Sequence, residues 1–131
     1  MIVGFDTGYF VRLLEGNETA VKVWKDLTEG NIDGVVSPLT FFELKRLGLK
    51  GEINNTSLET LFEAIEGICH IAWLMDTGIF TSSASISYGT GIPAVDSIIL
   101  ASCLAMNAKI IYTTDSHFKA YKKKSISIIV M

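Results

Sequence analysis

Four carboxylates interrupt or end apolar segments, where an acid needs either a structural partner or a chemical role. The four are Asp6, Glu43, Asp96 and Asp115. Asp6 ends the opening apolar run MIVGF, Asp115 follows the apolar segment 109–113, and Asp96 breaks the apolar stretch 92–106. Because buried acids are rare unless they are paired, these contexts indicate carboxylates that share a partner.

Each acid also has a purely structural explanation. Asp6 and Asp115 could be helix N-caps, Thr40–Glu43 matches a capping box, and Asp96 suits the first turn of a helix. As a set they are harder to explain in this way, since two carboxylates about 4 Å apart repel by roughly 4 kcal/mol at an effective dielectric near 20. No lysine or arginine in the neighbouring motifs is an obvious partner, which favours a bound divalent cation.

The types of the candidate ligands restrict the metal. Oxygen-only ligands suit Mg²⁺ or Mn²⁺, whereas zinc prefers histidine or cysteine at ligand spacing. His70 lies within an apolar strand pattern and is expected in the core, and His117 is expected at a surface turn. An acidic Mg²⁺ site at a strand edge commonly serves phosphoryl chemistry.

Alternating strand and helix patterns have to position these acids. Strands are predicted at 1–5, 33–37, 69–74, 109–113 and 125–131, and helices after Asp6 up to Leu14 and at 18–29, 39–49, 56–68, 76–88, 95–107 and 116–123. Ser37-Pro38 is predicted to cap the third helix, and Thr56 or Ser57 the fourth. This order predicts an α/β fold, a three-layer α/β/α sandwich with a central parallel sheet of four to five strands.

Such a fold brings the four acids together. The first and fourth strands deliver Asp6 and Asp115 to one edge of the sheet, where ligands bind in open parallel α/β folds. Glu43 and Asp96 lie in the first two turns of helices that start near that edge. We therefore expect one site containing all four.

Length and composition fit one domain, residues 1–131, in the cytoplasm. No apolar run approaches the roughly 18–20 residues that span a bilayer, and residues 1–5 begin a strand without a basic leader, so we expect neither a membrane segment nor a signal peptide. Cys69 and Cys103 are expected to be free, buried thiols. The aromatic residues Trp24 and Phe41 are expected to pack in the core, with a dimer contact as the alternative.

The net charge of −3 argues against a simple nucleic-acid-binding module, which usually carries a basic excess. A bound cation answers this objection because the metal, rather than the protein's net charge, recruits the phosphate. On the helix that carries Glu43, the residues Lys45, Arg46 and Lys50 are candidates for contacts with backbone phosphates, with a solvated helix face as the alternative.

The chain resembles the PIN-domain nucleases, and especially the small single-domain VapC-type toxins. The resemblance covers nearly the whole chain and is carried by IVGFDTGYFV, SPLTFFEL and GIPAVDSIILASCLAMNAKIIYTTDSHF. It implies a metal-dependent endoribonuclease whose acids bind one or two Mg²⁺ or Mn²⁺ ions. The residues matching its catalytic positions are the metal-binding quartet Asp6, Glu43, Asp96 and Asp115, together with Thr113, a small hydroxyl position lining the site.

Two positions depart from the family's pattern. After Asp6-Thr7 the family frequently has Asn or Ser, where this chain has Gly8, and many relatives carry an acid where this chain has His117. The resemblance further implies an RNA substrate, a homodimer, and a small antitoxin whose C-terminal segment occupies the groove.

Two other functions compete with the nuclease. A catalytically degenerate PIN-like module would act in regulation by binding a partner, and Gly8 gives this alternative some support. A phosphoacceptor receiver domain would have a pair of acids after the first strand and a lysine ending the last core strand. The single Asp6 and the sequence Thr113-Thr114-Asp115 disfavour it.

Overall fold

Five parallel strands form a single sheet in the computed structural model, which describes residues 1–73 and 76–131. The strands are β1 (Ile2–Phe5), β2 (Asp33–Val36), β3 (His70–Ile71), β4 (Ile110–Thr113) and β5 (Ser127–Val130). Their order is β3-β2-β1-β4-β5, so the chain leaves β1 on one side towards β2 and returns on the other as β4. The strand order therefore reverses between β1 and β4, which is the point at which open parallel sheets bind ligands.

Six α-helices cover the two faces of this sheet in the described part of the chain. They are α1 (Thr7–Leu14), α2 (Glu18–Thr28), α3 (Pro38–Leu49), α4 (Asn55–Ile68), α5 (Thr77–Thr90) and α6 (Ala94–Ala105), and a short 3₁₀ helix follows at Ser116–Ala120. Helices α1 to α4 pack on one face, and α6 packs on the other with α5 against it. The predicted three-layer α/β/α sandwich with a parallel sheet is confirmed.

Successive side chains of the central strand β1 point to opposite faces of the sheet, so this strand contacts both helical layers. Val3 and Phe5 are buried in the core formed with α1 to α4, where the Phe5 and Tyr9 rings lie 4.3 Å apart between centroids. Gly4 faces α6, and a Cβ atom there would lie 2.8 Å from the Cβ of Cys103. Glycine at this position thus allows α6 to approach the sheet closely.

Helix starts agree with the sequence at α3 and differ at α4. Ser37 caps α3 by accepting a hydrogen bond from the Leu39 N–H, and Pro38 is the first helical residue, as predicted. The predicted cap of α4 at Thr56 or Ser57 is wrong. The Asn54 side chain accepts from the N–H groups of both residues, so the helix begins at Asn55.

Three other segments are shorter than predicted, among them β5, which spans Ser127–Val130 rather than 125–131. Strand β3 spans only His70–Ile71, and Leu74, the predicted end of that strand, lies outside the described residues. The predicted core position of His70 is also wrong, because β3 is an edge strand and His70 is exposed. The predicted helix 116–123 is a 3₁₀ helix that ends at Ala120.

Most of the remaining predicted burial is confirmed. Both cysteines are free and buried. Trp24 and Phe41 are partly buried against the core, and the Phe41 ring meets Phe62 edge-on at 5.0 Å between centroids.

No helix in the described ranges is long and apolar enough to cross a membrane.

Candidate metal centre

The pairing of β1 with β4 places two site residues side by side. Phe5 lies opposite Tyr112 in the register, so the next residues, Asp6 and Thr113, leave the sheet at the same edge. The backbone N–H of Asp6 donates to the Tyr112 carbonyl oxygen at 2.9 Å, which extends the ladder by one bond. Asp6 is only 5% exposed, although it lies where the strand gives way to α1.

One oxygen of the Asp6 carboxylate is paired and the other is not. The Thr113 hydroxyl donates to Asp6 Oδ2 at 2.8 Å and itself accepts from the Asp115 N–H at 3.0 Å, so its proton is directed at Asp6. Asp6 Oδ1 is buried and has no hydrogen-bond partner among the residues described. The side chain does not cap α1 either, so the N-cap explanation of Asp6 is wrong. A buried unpaired carboxylate oxygen indicates a missing ligand.

Two further carboxylates converge on Asp6. One oxygen from each of Asp6, Glu43 and Asp96 lies within 4.8 Å of the others. Glu43, in the second turn of α3, is held by the Thr7 hydroxyl, which donates to its Oε1 at 2.6 Å. The capping-box explanation of Glu43 is therefore wrong, because Ser37 caps α3 and Glu43 pairs across to α1. We call these three acids the carboxylate triad.

Two members of the triad have raised pKa values, which means that their ionised forms are unfavourable without a cation. Burial raises the pKa of Asp6 to about 6, and the Thr113 hydrogen bond, with a smaller contribution from the Thr7 backbone N–H, only partly offsets this effect. Burial, followed by the nearby charges of Asp6, Glu43 and Asp115, raises the pKa of Asp96 to about 7. Within residues 1–73 and 76–131, no ion pair involves a member of the triad.

Asp115 lies beside the triad and is partly committed elsewhere. Its Oδ1 accepts from the His117 N–H at 2.9 Å and lies 2.9 Å from His117 Nδ1. The N-cap explanation of Asp115 is thus confirmed for the 3₁₀ helix. Its charge nevertheless raises the pKa values of Asp6 and Asp96, so it lies close to both. His117 is exposed, as predicted.

The donor set fits a hard divalent cation. Three carboxylates offer oxygens in one place, and one of these oxygens is buried without a partner. The pKa values of Asp6 and Asp96 are raised first by burial and then by the neighbouring negative charges, and a bound cation would offset both effects. Oxygen donors of this kind are typical of Mg²⁺ and Mn²⁺ rather than zinc.

Gly8, where the family frequently has Asn or Ser, lies directly against Thr114. A Cβ atom at Gly8 would lie 1.9 Å from the Thr114 hydroxyl oxygen and 2.9 Å from the Thr114 Cβ. Thr114, in the segment that follows β4, thus fills the space that a side chain at position 8 would occupy. Glycine at position 8 and threonine at position 114 are sterically coupled in this chain.

Two of the three predicted phosphate-binding residues lie near the triad. Arg46 and Lys50 line a groove of about 200 Å³ that also contains Thr7 and Glu43. Lys45 is exposed but does not line this groove.

Four residues of this region, Thr7, Phe42, Leu47 and Val95, were not predicted as site residues from the sequence. Thr7 positions Glu43, and Phe42 is an exposed lining residue of the same groove. A hydroxyl directly after Asp6, at the start of a predicted helix, is the signal that could have identified Thr7.

The sequence matches the PIN domain family over residues 3–124. The chain therefore belongs to the PIN-domain family, whose members are metal-dependent nucleases in general, and the family resemblance of the sequence is confirmed.

Solved structures share this fold at low sequence identity. VapBC2 from Rickettsia felis, bound to a DNA fragment from its promoter, is 16% identical with a TM-score of 0.73 over 99% of this chain and 98% of that one. A toxin–antitoxin complex from Klebsiella pneumoniae is 15% identical, TM-score 0.68, over 98% and 96%. FitAcB from Neisseria gonorrhoeae is 23% identical, TM-score 0.61, over 98% and 96%. No curated protein sequence is similar enough to count as a relative.

Proposed function

We propose that this protein is a Mg²⁺- or Mn²⁺-dependent endoribonuclease and the toxin of a VapBC-type toxin–antitoxin pair. The observation that carries the nuclease assignment is the buried, unpartnered Oδ1 of Asp6 inside the carboxylate triad. The toxin assignment is supported by the fold shared with chains of toxin–antitoxin complexes that it matches over nearly their full length.

The triad would hold the principal metal through Asp6, Glu43 and Asp96, with Asp115 as a further ligand to the same or a second ion. A bound Mg²⁺ or Mn²⁺ ion supplies positive charge that attracts phosphate oxygens and lowers the pKa of a water molecule. This positive charge would offset the protein's net charge of −3 where the triad meets an RNA phosphodiester.

The remaining site residues orient these acids. Thr113 directs its hydroxyl proton at Asp6 Oδ2, which leaves Oδ1 free to accept a ligand. Thr7 fixes the Glu43 carboxylate by a short hydrogen bond from the first residue of α1. Such supporting hydrogen bonds typically change metal affinity or activity by about 10- to 100-fold.

The proposed partners follow from the same assignment. As a VapC-type toxin, the protein would form a homodimer, bind a small antitoxin that occupies the groove beside the triad, and act on RNA in the cytoplasm. The antitoxin is supported by the similarity to VapBC2 and to the toxin–antitoxin complex from Klebsiella pneumoniae.

Cleavage of RNA with and without metal tests this function. The wild-type protein is expected to cut RNA with Mn²⁺ and not with EDTA, while Asp6→Asn and Asp96→Asn lose cleavage and keep the fold by circular dichroism. Glu63→Gln, which changes an exposed acid on α4, is the matched control and should cleave normally. Metal-dependent cleavage retained by both aspartate variants would falsify the assignment. A wild-type protein that folds, binds a partner and never cleaves would instead be the degenerate module.

A further inference from the structure

Phe42 is an exposed aromatic residue directly beside a member of the carboxylate triad. Its side chain is 63% exposed, whereas Leu44, two residues on, is fully buried. The ring lines the same groove as Thr7 and Glu43. Packing of α3 against the core therefore does not explain why an aromatic side chain occurs at position 42.

Two cations continue the groove along the same helix face. Arg46 lies one turn after Phe42 and Lys50 a further turn on, at the i, i+4 spacing that aligns side chains on one face of a helix. Arg46 forms no ion pair within the described ranges, and the contact between Lys50 and Glu52 is long, at 3.9 Å between two exposed side chains. Both positive charges are thus available to an anionic ligand.

The groove presents an aromatic ring next to the carboxylate triad and then two cations. These groups complement the bases and the phosphates of a nucleotide chain. An exposed ring stacks on a splayed base whatever its identity, and arginine and lysine contact backbone phosphates. Bases of a double helix are stacked on each other, so only single-stranded RNA offers a free face to such a ring. The groove, at about 200 Å³, is smaller than the roughly 300 Å³ at which small-molecule pockets begin, which suits one unit of a longer chain.

We propose that Phe42, Arg46 and Lys50 form a nucleotide subsite for single-stranded RNA next to the carboxylate triad. The base stacks on the Phe42 ring and the adjoining phosphate contacts Arg46 and Lys50. The proposal rests on the proposed function, because the triad has to place the neighbouring phosphodiester. Leu47 and Val95 also line the groove. The charged residues nevertheless favour RNA over an apolar protein segment, since such a segment would desolvate Glu43, Arg46 and Lys50 without pairing them.

Binding of RNA, measured apart from cleavage, tests the subsite. In an Asp96→Asn background that prevents chemistry, fluorescence anisotropy with a short labelled single-stranded RNA in Mg²⁺ should show Phe42→Ala weakening binding by about 5- to 150-fold, the range for one stacked base. Phe42→Trp should retain the affinity, and Phe42→Leu should not, because it keeps apolar volume without an aromatic face. Double-stranded RNA should bind wild-type and Phe42→Ala proteins equally.

Control variants on the same helix separate this effect from general changes. Leu49 is 75% exposed and lies outside the groove, so Leu49→Ala should bind as the parent does. Arg46→Ala with Lys50→Ala should weaken binding and reduce its salt dependence, and Lys45→Ala should do so far less.

The Phe42→Trp variant also gives a direct optical signal once the exposed Trp73 is removed. In a Trp73→Phe background, RNA should quench the emission of the Phe42→Trp protein and leave the Trp73→Phe parent, which retains only Trp24, unchanged. The subsite would be overturned if Phe42→Ala bound RNA as tightly as Leu49→Ala and RNA did not quench the Phe42→Trp protein. The face around Phe42 would then be assigned to a protein partner. A wild-type protein that fails to cleave, while Phe42→Ala still weakens binding, would refute the nuclease and leave the subsite standing.

Discussion

Replacing Asp6 by Asn should stabilise the metal-free protein while abolishing its metal site. The carboxylate is buried and its pKa is raised from 3.8 to about 6. At about 1.4 kcal/mol per unit, the ionised form costs up to about 3 kcal/mol of stability at pH 8. Asparagine keeps the oxygen that accepts from Thr113 and removes the charge.

The sign of the pH dependence makes this prediction specific. Between pH 3.8 and about 6 the folded wild-type protein binds more protons at Asp6 than the unfolded chain, so its stability falls as pH rises through this window. The gain of Asp6→Asn should therefore be complete at pH 8, about 1 to 3 kcal/mol or roughly 4 to 12 °C in Tm, and fall to about a third at pH 4.5.

Thermal unfolding in EDTA, followed by circular dichroism at both pH values, measures the effect. Glu63→Gln, at an exposed position, should leave the Tm within about 2 °C of the wild type. Added Mn²⁺ should raise the Tm of the wild type at pH 8 and leave that of Asp6→Asn unchanged. A loss of stability in Asp6→Asn of the same size at both pH values would refute the reasoning, because the carboxylate would then be stabilised by the fold rather than strained in it.

Three further predictions concern the same site. Thr113→Val should weaken Mn²⁺ binding by about 10- to 100-fold in calorimetry, with Thr113→Ser close to wild type, because the hydroxyl donates to Asp6 Oδ2 at 2.8 Å and orients the carboxylate; equal affinity in Val and Ser variants would contradict this. Mn²⁺ affinity should rise as pH increases through 6 to 7, where Asp6 and Asp96 lose their protons, and a flat profile from pH 5.5 to 8 would refute the role of these two acids. Gly8→Ala should lose about 1 to 3 kcal/mol in urea unfolding because its Cβ overlaps Thr114, and adding Thr114→Gly should recover most of the loss; no recovery would place the strain elsewhere.

Much of the fold follows from local patterns in the sequence. Apolar runs of four to five residues between amphipathic segments predicted β1, β4 and the helices around them, because these elements bury their own apolar faces. The same alternation placed Asp6 and Thr113 at one edge of the sheet, since parallel strands share a direction. His70 was misplaced because an apolar run does not distinguish an edge strand from a central one, and only the strand order decides that.

The grouping of Asp6, Glu43 and Asp96 could be predicted from the sequence, but the contacts that hold these acids could not. Thr40–Glu43 matches a capping box in spacing, but Ser37 takes the cap, and the partner of Glu43 comes from Thr7, thirty-six residues away. That pairing depends on how α1 and α3 approach each other, which no local pattern specifies. The filling of the Gly8 space by Thr114 has the same origin.

The central claim is that the carboxylate triad binds a divalent cation, and anomalous diffraction from a crystal grown in Mn²⁺ tests it most directly. We predict an anomalous peak for a Mn²⁺ ion among the three acids. Oxygens of Asp6, Glu43 and Asp96 should lie about 2.0 to 2.2 Å from the ion, close to the distances typical of Mg²⁺ sites. The Thr113 bond to Asp6 Oδ2 should persist, with the metal on Oδ1. Splayed carboxylates with no anomalous density between them, at saturating Mn²⁺ and pH 8, would contradict the claim.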